Sequence, residues 1–409
     1  MRRGGAVAGV ALLLAACGSQ SQGTTGGPST GPYPAARPDV GKIVDQGGAV
    51  LTSPKIVTVT WNADPNQAAL EDFGDKLGAS AYWKLVAGEY GVGPATSGPA
   101  NHVRVSTPPP ATIEVIDLET WFSQEVQNAA TNGWPAWDPQ TSYVVYVPTA
   151  THLTSGGADT CSLHASLHSE VSVGTNSVTY VFIDENCHDS LSVLDGATSA
   201  ASHEIIEDVT NPHPYSGKAY IGFDQAHLAW SLMDGEQDDE IGDTCEDLSD
   251  AIFRGPADLP YALQRMWSNA SGGAGHSPCV PQSSEPYFNA TPLGQEMLNV
   301  LVGVAQTAAT ALGYRVPVGS TKSFDVSYYS DAPTGLWYLT AVEGNGVTAA
   351  SPSHVKLSLE HGTGANGQQD TVNVTVESAP AGGNAILVTL VSSAQGHTTH
   401  YFPVLIGAY

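Results

Sequence analysis

The chain has 409 residues, with 40 Asp or Glu against 14 Lys or Arg, a formal charge of -26, and 41% hydrophobic residues. That is enough apolar content for packed cores and enough length for two domains. The acidic balance argues against nucleic acid as a partner and against adhesion to anionic lipid through a basic patch.

Arg2 and Arg3 precede an apolar run, Ala6 to Ala16, that is too short to span a bilayer and has the layout of a secretory signal. Leu14-Ala15-Ala16-Cys17 resembles a bacterial lipoprotein box, so residues 1–17 are expected to be a signal peptide ending in a lipidated Cys17. Residues 18–38, rich in Gly, Ser, Thr and Pro, read as a flexible tether. The expected location is extracytoplasmic, with the membrane reached only through the lipid.

Lys55 to Trp61 is a β-branched run that reads as a buried strand, followed by a helical stretch from about Asn66 to Glu89. Strand-like runs recur at His102 to Ser106 and Thr112 to Ile116, and an amphipathic helix is expected from about Leu118 to Ala130. Ser142 to Pro148 and Ser177 to Ile183 are nearly continuous in apolar or β-branched residues, as in strands covered on both faces. The next helix is expected from about Leu194 to Val209, stopped by Asn211-Pro212.

Four cysteines remain after Cys17, and an even number in an exported chain suggests two disulfides. Three pairings are possible. Nearest neighbours, Cys161 with Cys187 and Cys245 with Cys279, close the most local loops. A zinc–thiolate site is the rival, but no Cys-x-x-Cys pair is present.

Beyond Pro281 the texture changes to short alternating runs at 324–329, 336–339, 355–360, 371–376 and 385–391, separated by turn residues. They predict an immunoglobulin-like β-sandwich over 285–409, without a cysteine to bridge its sheets. Met297 to Val304 reads equally as a strand or as the first turns of a helix.

The segment Ala201-Ser-His-Glu-Ile-Ile-Glu-Asp-Val-Thr-Asn-Pro212 carries the strongest chemical signal. On a helix His203 and Glu207 lie one turn apart on one face, with Glu204 beside them. This is the layout of the zincin helix H-E-x-x-H, in which two histidines hold zinc and the glutamate takes a proton from metal-bound water. Glu207 stands in place of the second histidine. A carboxylate there hardens the site and widens the choice of metal from zinc to calcium or manganese. A third ligand is sought in the acidic stretch 234–243, at Glu240 or Asp243, which would otherwise be a solvated loop. The order of elements over residues 39–284 predicts a zincin-like α/β domain holding a divalent metal on His203, Glu207 and Glu240 or Asp243, with Glu204 as base.

Several blocks also occur in an order that resembles a family: Tyr82-Trp83, Tyr90-Gly-Val-Gly93, Cys161-Ser-Leu-His164, Ser202-His-Glu-Ile-Ile-Glu207 with Thr210-Asn-Pro212, and Glu240-Ile-Gly-Asp-Thr-Cys245, then Trp267-Ser-Asn269 before Cys279. Together, over roughly Ile43 to Pro281, they are similar to the phosphate-induced, Exordium-like family of secreted proteins and its bacterial relatives. That resemblance adds His164 as a further ligand or proton carrier. It implies no particular reaction, since plant members are linked to growth and the cell wall without an established activity. His168 and His188 have no motif support and read as surface residues. Two functions fit: a metal-dependent, peptidase-like hydrolase, or a non-catalytic surface protein that binds glycan or a protein partner and keeps a structural or vestigial metal site.

Overall fold

The computed structural model describes residues 29–30, 35–163, 166–188, 190–233, 239–302, 306–347, 350 and 352–409. The expected signal segment, Cys17 and His164 lie outside the described residues. Among those described, no helix is long and apolar enough to cross a membrane.

Over the first part, a five-stranded sheet runs in the order His102–Val105, Lys55–Trp61, Thr141–Val147, Asn176–Asp184, Ser166–Val173. The first four are parallel to one another, and Ser166–Val173 closes the edge antiparallel to Asn176–Asp184. A tight turn at Gly174-Thr175 makes that hairpin, and Gly174 adopts φ 63°, where a glycine is free of Cβ strain. Every residue of Thr141–Val147 is buried, as its nearly continuous apolar and β-branched run predicts. One face packs Phe122 and Trp134, the former from the helix Val115–Gln127, against Tyr143, Tyr180 and Phe182. The other face receives the helix Val193–Thr210, whose Ile205, Ile206 and Val209 are fully buried.

The helical stretch expected from about 66 to 89 contains two α-helices, Gln67–Leu77 and Ala81–Val86. Ser80 breaks it because its side chain caps the second by accepting from Trp83 N at 3.0 Å, a local bond that a continuous helix would forgo.

From residue 288 the regular elements among the described residues are all strands. One sheet contains Phe288–Pro292, Thr321–Ser330, Gln368–Val376 and Val355–Leu359, and the other contains Glu296–Val302, Thr307–Val316, His400–Ala408, Ala385–Ser393 and Trp337–Glu343. The ambiguous segment is the strand Glu296–Val302, with Leu298, Val300 and Val302 buried and alternating with exposed residues. The chain as a whole is mostly β with few helices, so the expected α/β class describes at most the sheet around Lys55–Trp61. A single apolar cluster runs from this sheet into the sandwich, where Trp230 meets Phe402 at 5.4 Å between ring centroids.

Part of the stretch 18–38, expected as a tether, is held against the sandwich. Ser29–Thr30 pairs antiparallel with Gln368 and Gln369 of the sandwich, and Ala35 N donates to Asn366 Oδ1 at 3.1 Å. Backbone groups of a nominally flexible stretch are thus taken up by a sheet edge.

Both expected disulfides are present, Cys161–Cys187 and Cys245–Cys279, with sequence separations of 26 and 34. They suit an extracytoplasmic protein and exclude the thiolate metal site. Opening the second loop by Cys245→Ala with Cys279→Ala is expected to lower stability by about 3 to 4 kcal/mol in the chain-entropy treatment. Denaturant titration checks this; an unchanged midpoint would contradict it.

A second consequence concerns two carboxylates that follow strands of the parallel sheet. Glu185 is 1% exposed, and its Oε1 and Asp64 Oδ2 have no hydrogen-bond partner of their own, while Asn66 Nδ2 donates to Glu185 Oε2 at 2.9 Å. Burial, then the proximity of Asp64, pushes the Glu185 carboxyl up from 4.5 to about 8. The folded chain therefore keeps a proton that the unfolded chain gives up, so this contribution is full below about pH 4.5 and is lost as pH rises through about 8. Glu185→Gln should flatten the fall in melting temperature between pH 5 and pH 9 (roughly the window of the shift). Parallel melting profiles for variant and wild type would rule it out.

Candidate metal centre

The helix Val193–Thr210 starts at Ser192, whose side chain accepts from Asp195 N at 3.1 Å, and is buried almost continuously from Gly196 to Thr210. It carries four buried titratable side chains, His203, Glu204, Glu207 and Asp208. Such groups are tolerated inside a protein only when paired or bound to a cation.

His203 and Glu207 do face the same way, with His203 Nε2 3.0 Å from Glu207 Oε2 and 3.3 Å from Asp243 Oδ1. The acidic segment expected to supply the third ligand supplies Asp243 to this group. Glu240 goes elsewhere: its Oε2 is 3.2 Å from His168 Nε2. The two acids turn inward because Glu240 N donates to Asp243 Oδ2 at 2.9 Å and Trp267 N donates to Ile241 O at 2.6 Å, which folds the loop back against the helix. Residues 234–238 of the acidic stretch lie outside the described residues.

His168 is not a surface residue. Its side chain is 5% exposed on the edge strand, with Nδ1 3.3 Å from Glu204 Oε2 and 3.7 Å from Glu207 Oε2. Glu204 therefore points to the strand, where Ser166 Oγ also donates to its Oε1 at 2.7 Å, rather than into a gap beside His203. His188 is half-buried and away from the centre, its Nδ1 2.9 Å from Leu191 O.

The four carboxylates share one pattern. Each has an oxygen held by a neutral donor: Ser166 Oγ on Glu204, Gly242 N on Glu207 at 2.8 Å, Asn211 Nδ2 on Glu240, and Glu240 N on Asp243. The other oxygen of each is turned to an imidazole. Outer partners of this kind orient metal ligands. Residue 242 must be glycine for the same packing reason, since a Cβ there would lie 2.7 Å from Glu207 Oε1 and 2.8 Å from the His203 ring. His168, Glu204 and Glu207 form one group able to hold a metal ion, and His203, Glu207 and Asp243 form another.

Electrostatics follow the packing. Burial and then the Asp243 charge push Glu207 up to about 8, whereas burial of Glu204 is outweighed by His168 and His203, which bring it down to about 2. Burial opposes charge on His168, but Glu240, Glu204 and Glu207 hold its pKa well above the usual range. At His203 two effects compete. The carboxylates favour a second proton or a cation, while the Gln264 amide nitrogen, 2.8 Å from Nδ1 and 3.0 Å from Gly242 O, makes Nδ1 an acceptor and leaves the ring proton on Nε2. A metal on Nε2 requires Nδ1 protonated and the Gln264 amide turned over.

The blocks outside the helix serve this arrangement. Tyr82 donates through its hydroxyl to Gln264 O at 2.7 Å, and Tyr90 to Trp267 O at 2.8 Å, so both clamp the strands behind the centre. Trp83 Nε1 donates to Gly93 O at 3.0 Å.

No family model matches the chain, and no curated protein matches it. Among solved structures it is similar to domains 4 and 5 of the S-layer protein SbsC, at 10% identity over 36% of this chain and 90% of that one, with a TM-score of 0.18. It is also similar to the titin M10–obscurin-like 1 Ig complex, at 12% identity over 29% and 95%, with a TM-score of 0.16. A nucleoside hydrolase-related hypothetical protein from Saccharophagus degradans covers more, 75% of this chain and 72% of its own, at 15% identity and a TM-score of 0.23.

Proposed function

We propose that the chain is an extracytoplasmic, lipid-anchored surface protein whose α/β part is built around a divalent metal on His203, Glu207 and Asp243. The observation that carries this reading is the convergence of three donors, His203 Nε2, Glu207 Oε2 and Asp243 Oδ1, at a place where His203 and Glu207 are 1% and 2% exposed. Imidazole in the set favours zinc over calcium, which takes oxygen ligands. Closure of the centre is what a structural metal site shows, whereas a catalytic one keeps an open position. In this reading the sandwich faces outward to a glycan or protein partner, Cys17 attaches the chain to the membrane, and the motif blocks place it with the Exordium-like family. Elemental analysis of the full-length protein purified in detergent tests the core of it. Stoichiometric zinc is expected, and a metal-free protein that melts identically with and without chelator would overturn it.

A hydrolase is the second reading. It is favoured by the Asp243 side chain, 28% exposed, which gives the centre one wet side, and by Glu204, which adjoins His203 in sequence and stays ionised. There the metal would act as Lewis acid and Glu204 as base, in the zincin manner. The sheet of four parallel strands with an antiparallel edge, packed on the helix Val193–Thr210, supports that comparison.

A further inference from the structure

His168 is the residue that a single-metal centre leaves unexplained. Its ring is buried among three carboxylates, with Nδ1 beside Glu204 and Glu207 and Nε2 3.2 Å from Glu240 Oε2. Nε2 nevertheless makes no aligned hydrogen bond. A neutral imidazole can donate only one proton, so whichever nitrogen lacks it turns a lone pair toward an anionic oxygen. A second proton or a cation on Nδ1 removes that repulsion.

The spacings point the same way. Charge-assisted N–H···O bonds run at about 2.7 to 2.9 Å, whereas ligand atoms held about 2.1 Å from a tetrahedral ion lie roughly 3.4 Å from one another. Around His168 Nδ1 the separations are 3.3 Å to Glu204 and 3.7 Å to Glu207. Around His203 Nε2 they are 3.0 Å to Glu207 and 3.3 Å to Asp243. Glu207 Oε2 is the atom common to both sets.

We infer that the centre binds two divalent metal ions, one on His203 and Asp243 and a second on His168 and Glu204, with Glu207 shared between them. This rests on the single-site reading above and adds the second ion to it. Nε2 of His168 then keeps the proton and is paired with Glu240, whose other oxygen Asn211 holds. Glu204 is taken up as a ligand, which removes it as a free base and weighs against the hydrolase reading.

The test is a zinc titration of full-length protein stripped with chelator, followed by calorimetry. Two equivalents are expected for wild type, one each for His168→Gln and His203→Gln, and weakened binding at both positions for Glu207→Gln. One equivalent in wild type, lost in His203→Gln and kept in His168→Gln, overturns the second site and leaves the first standing. No zinc bound, with the charges balanced by protons alone, overturns both. Should His168→Gln fail to fold, manganese loading of wild type decides the matter by electron paramagnetic resonance. An exchange-coupled pair supports the inference, and the signal of an isolated ion refutes it.

Discussion

Chelation of the purified protein is expected to lower its melting temperature by about 10 °C. A ligand present at a thousandfold its dissociation constant stabilises the folded state by about 4 kcal/mol, and each kcal/mol shifts a domain of 150 to 250 residues by about 2 to 4 °C. His203→Ala should melt below wild type and shift less on chelation, because it removes the imidazole that meets Glu207 and Asp243 and leaves only the group around His168 to hold an ion. Glu204→Gln separates the functional readings. If Glu204 is a base, the variant keeps fold and metal and loses only cleavage in a broad peptide-library screen. If the wild type cleaves nothing in that screen, the surface-protein reading stands in front. Wild type with no chelator effect on melting would remove the structural role of the metal.

Trp267→Ala is expected to cost about 3 to 5 kcal/mol, the range for truncating a buried aromatic residue. Trp267 is 1% exposed and packs against Phe223 at 4.9 Å and Trp230 at 5.2 Å between centroids. Its backbone N–H also holds Ile241, between the two inward-turning acids. Alanine keeps that N–H, but without the indole to wedge the strand against Phe223 and Trp230 the strand can shift and carry Ile241 with it, so the variant should lose metal affinity as well as stability. Trp267→Phe, which keeps an aromatic ring in that packing and loses only the indole Nε1 bond to Asn269 Oδ1, should recover most of both. Metal affinity unchanged in Trp267→Ala would show that the loop is fixed by the disulfide at Cys245 instead.

Where the sequence carries a short-range physical signal, structure follows it closely. The β-branched run at Lys55–Trp61 and the proline stop after Asn211 both delimit elements at the expected positions. The cysteine pairing followed from loop locality. The His203/Glu207 pair is legible because helical spacing is a property of neighbours. His168 was not, because it reaches the centre by a hairpin and sits on an edge strand whose polar residues dilute the pattern. Leu167, Val171 and Val173, alternating up to Gly174 beside a recognised strand, were the available signal. Glu240 and Asp243 were found as acids but not separated, since which of them meets His203 depends on a loop folded through Trp267 and Asn211. Met297 and Leu301 hid the alternation of their strand because both are apolar yet exposed, at 51% and 38%.

The pairing of Ser29–Thr30 with Gln368 and Gln369 has a mechanical consequence. From Cys17 to Ser29 the chain extends at most about 3.5 Å per residue, roughly 40 Å, before it meets the sandwich. Under the lipid-anchored reading proposed above, tension on the N-terminus would be borne first by two residues of strand and by the Ala35–Asn366 bond, not by the sheet beside the candidate centre. Under that reading, peeling the short strand would add slack and let the body swing further from the bilayer while the centre stays intact, so the N-terminal strand would act as a weak link that yields before the fold does.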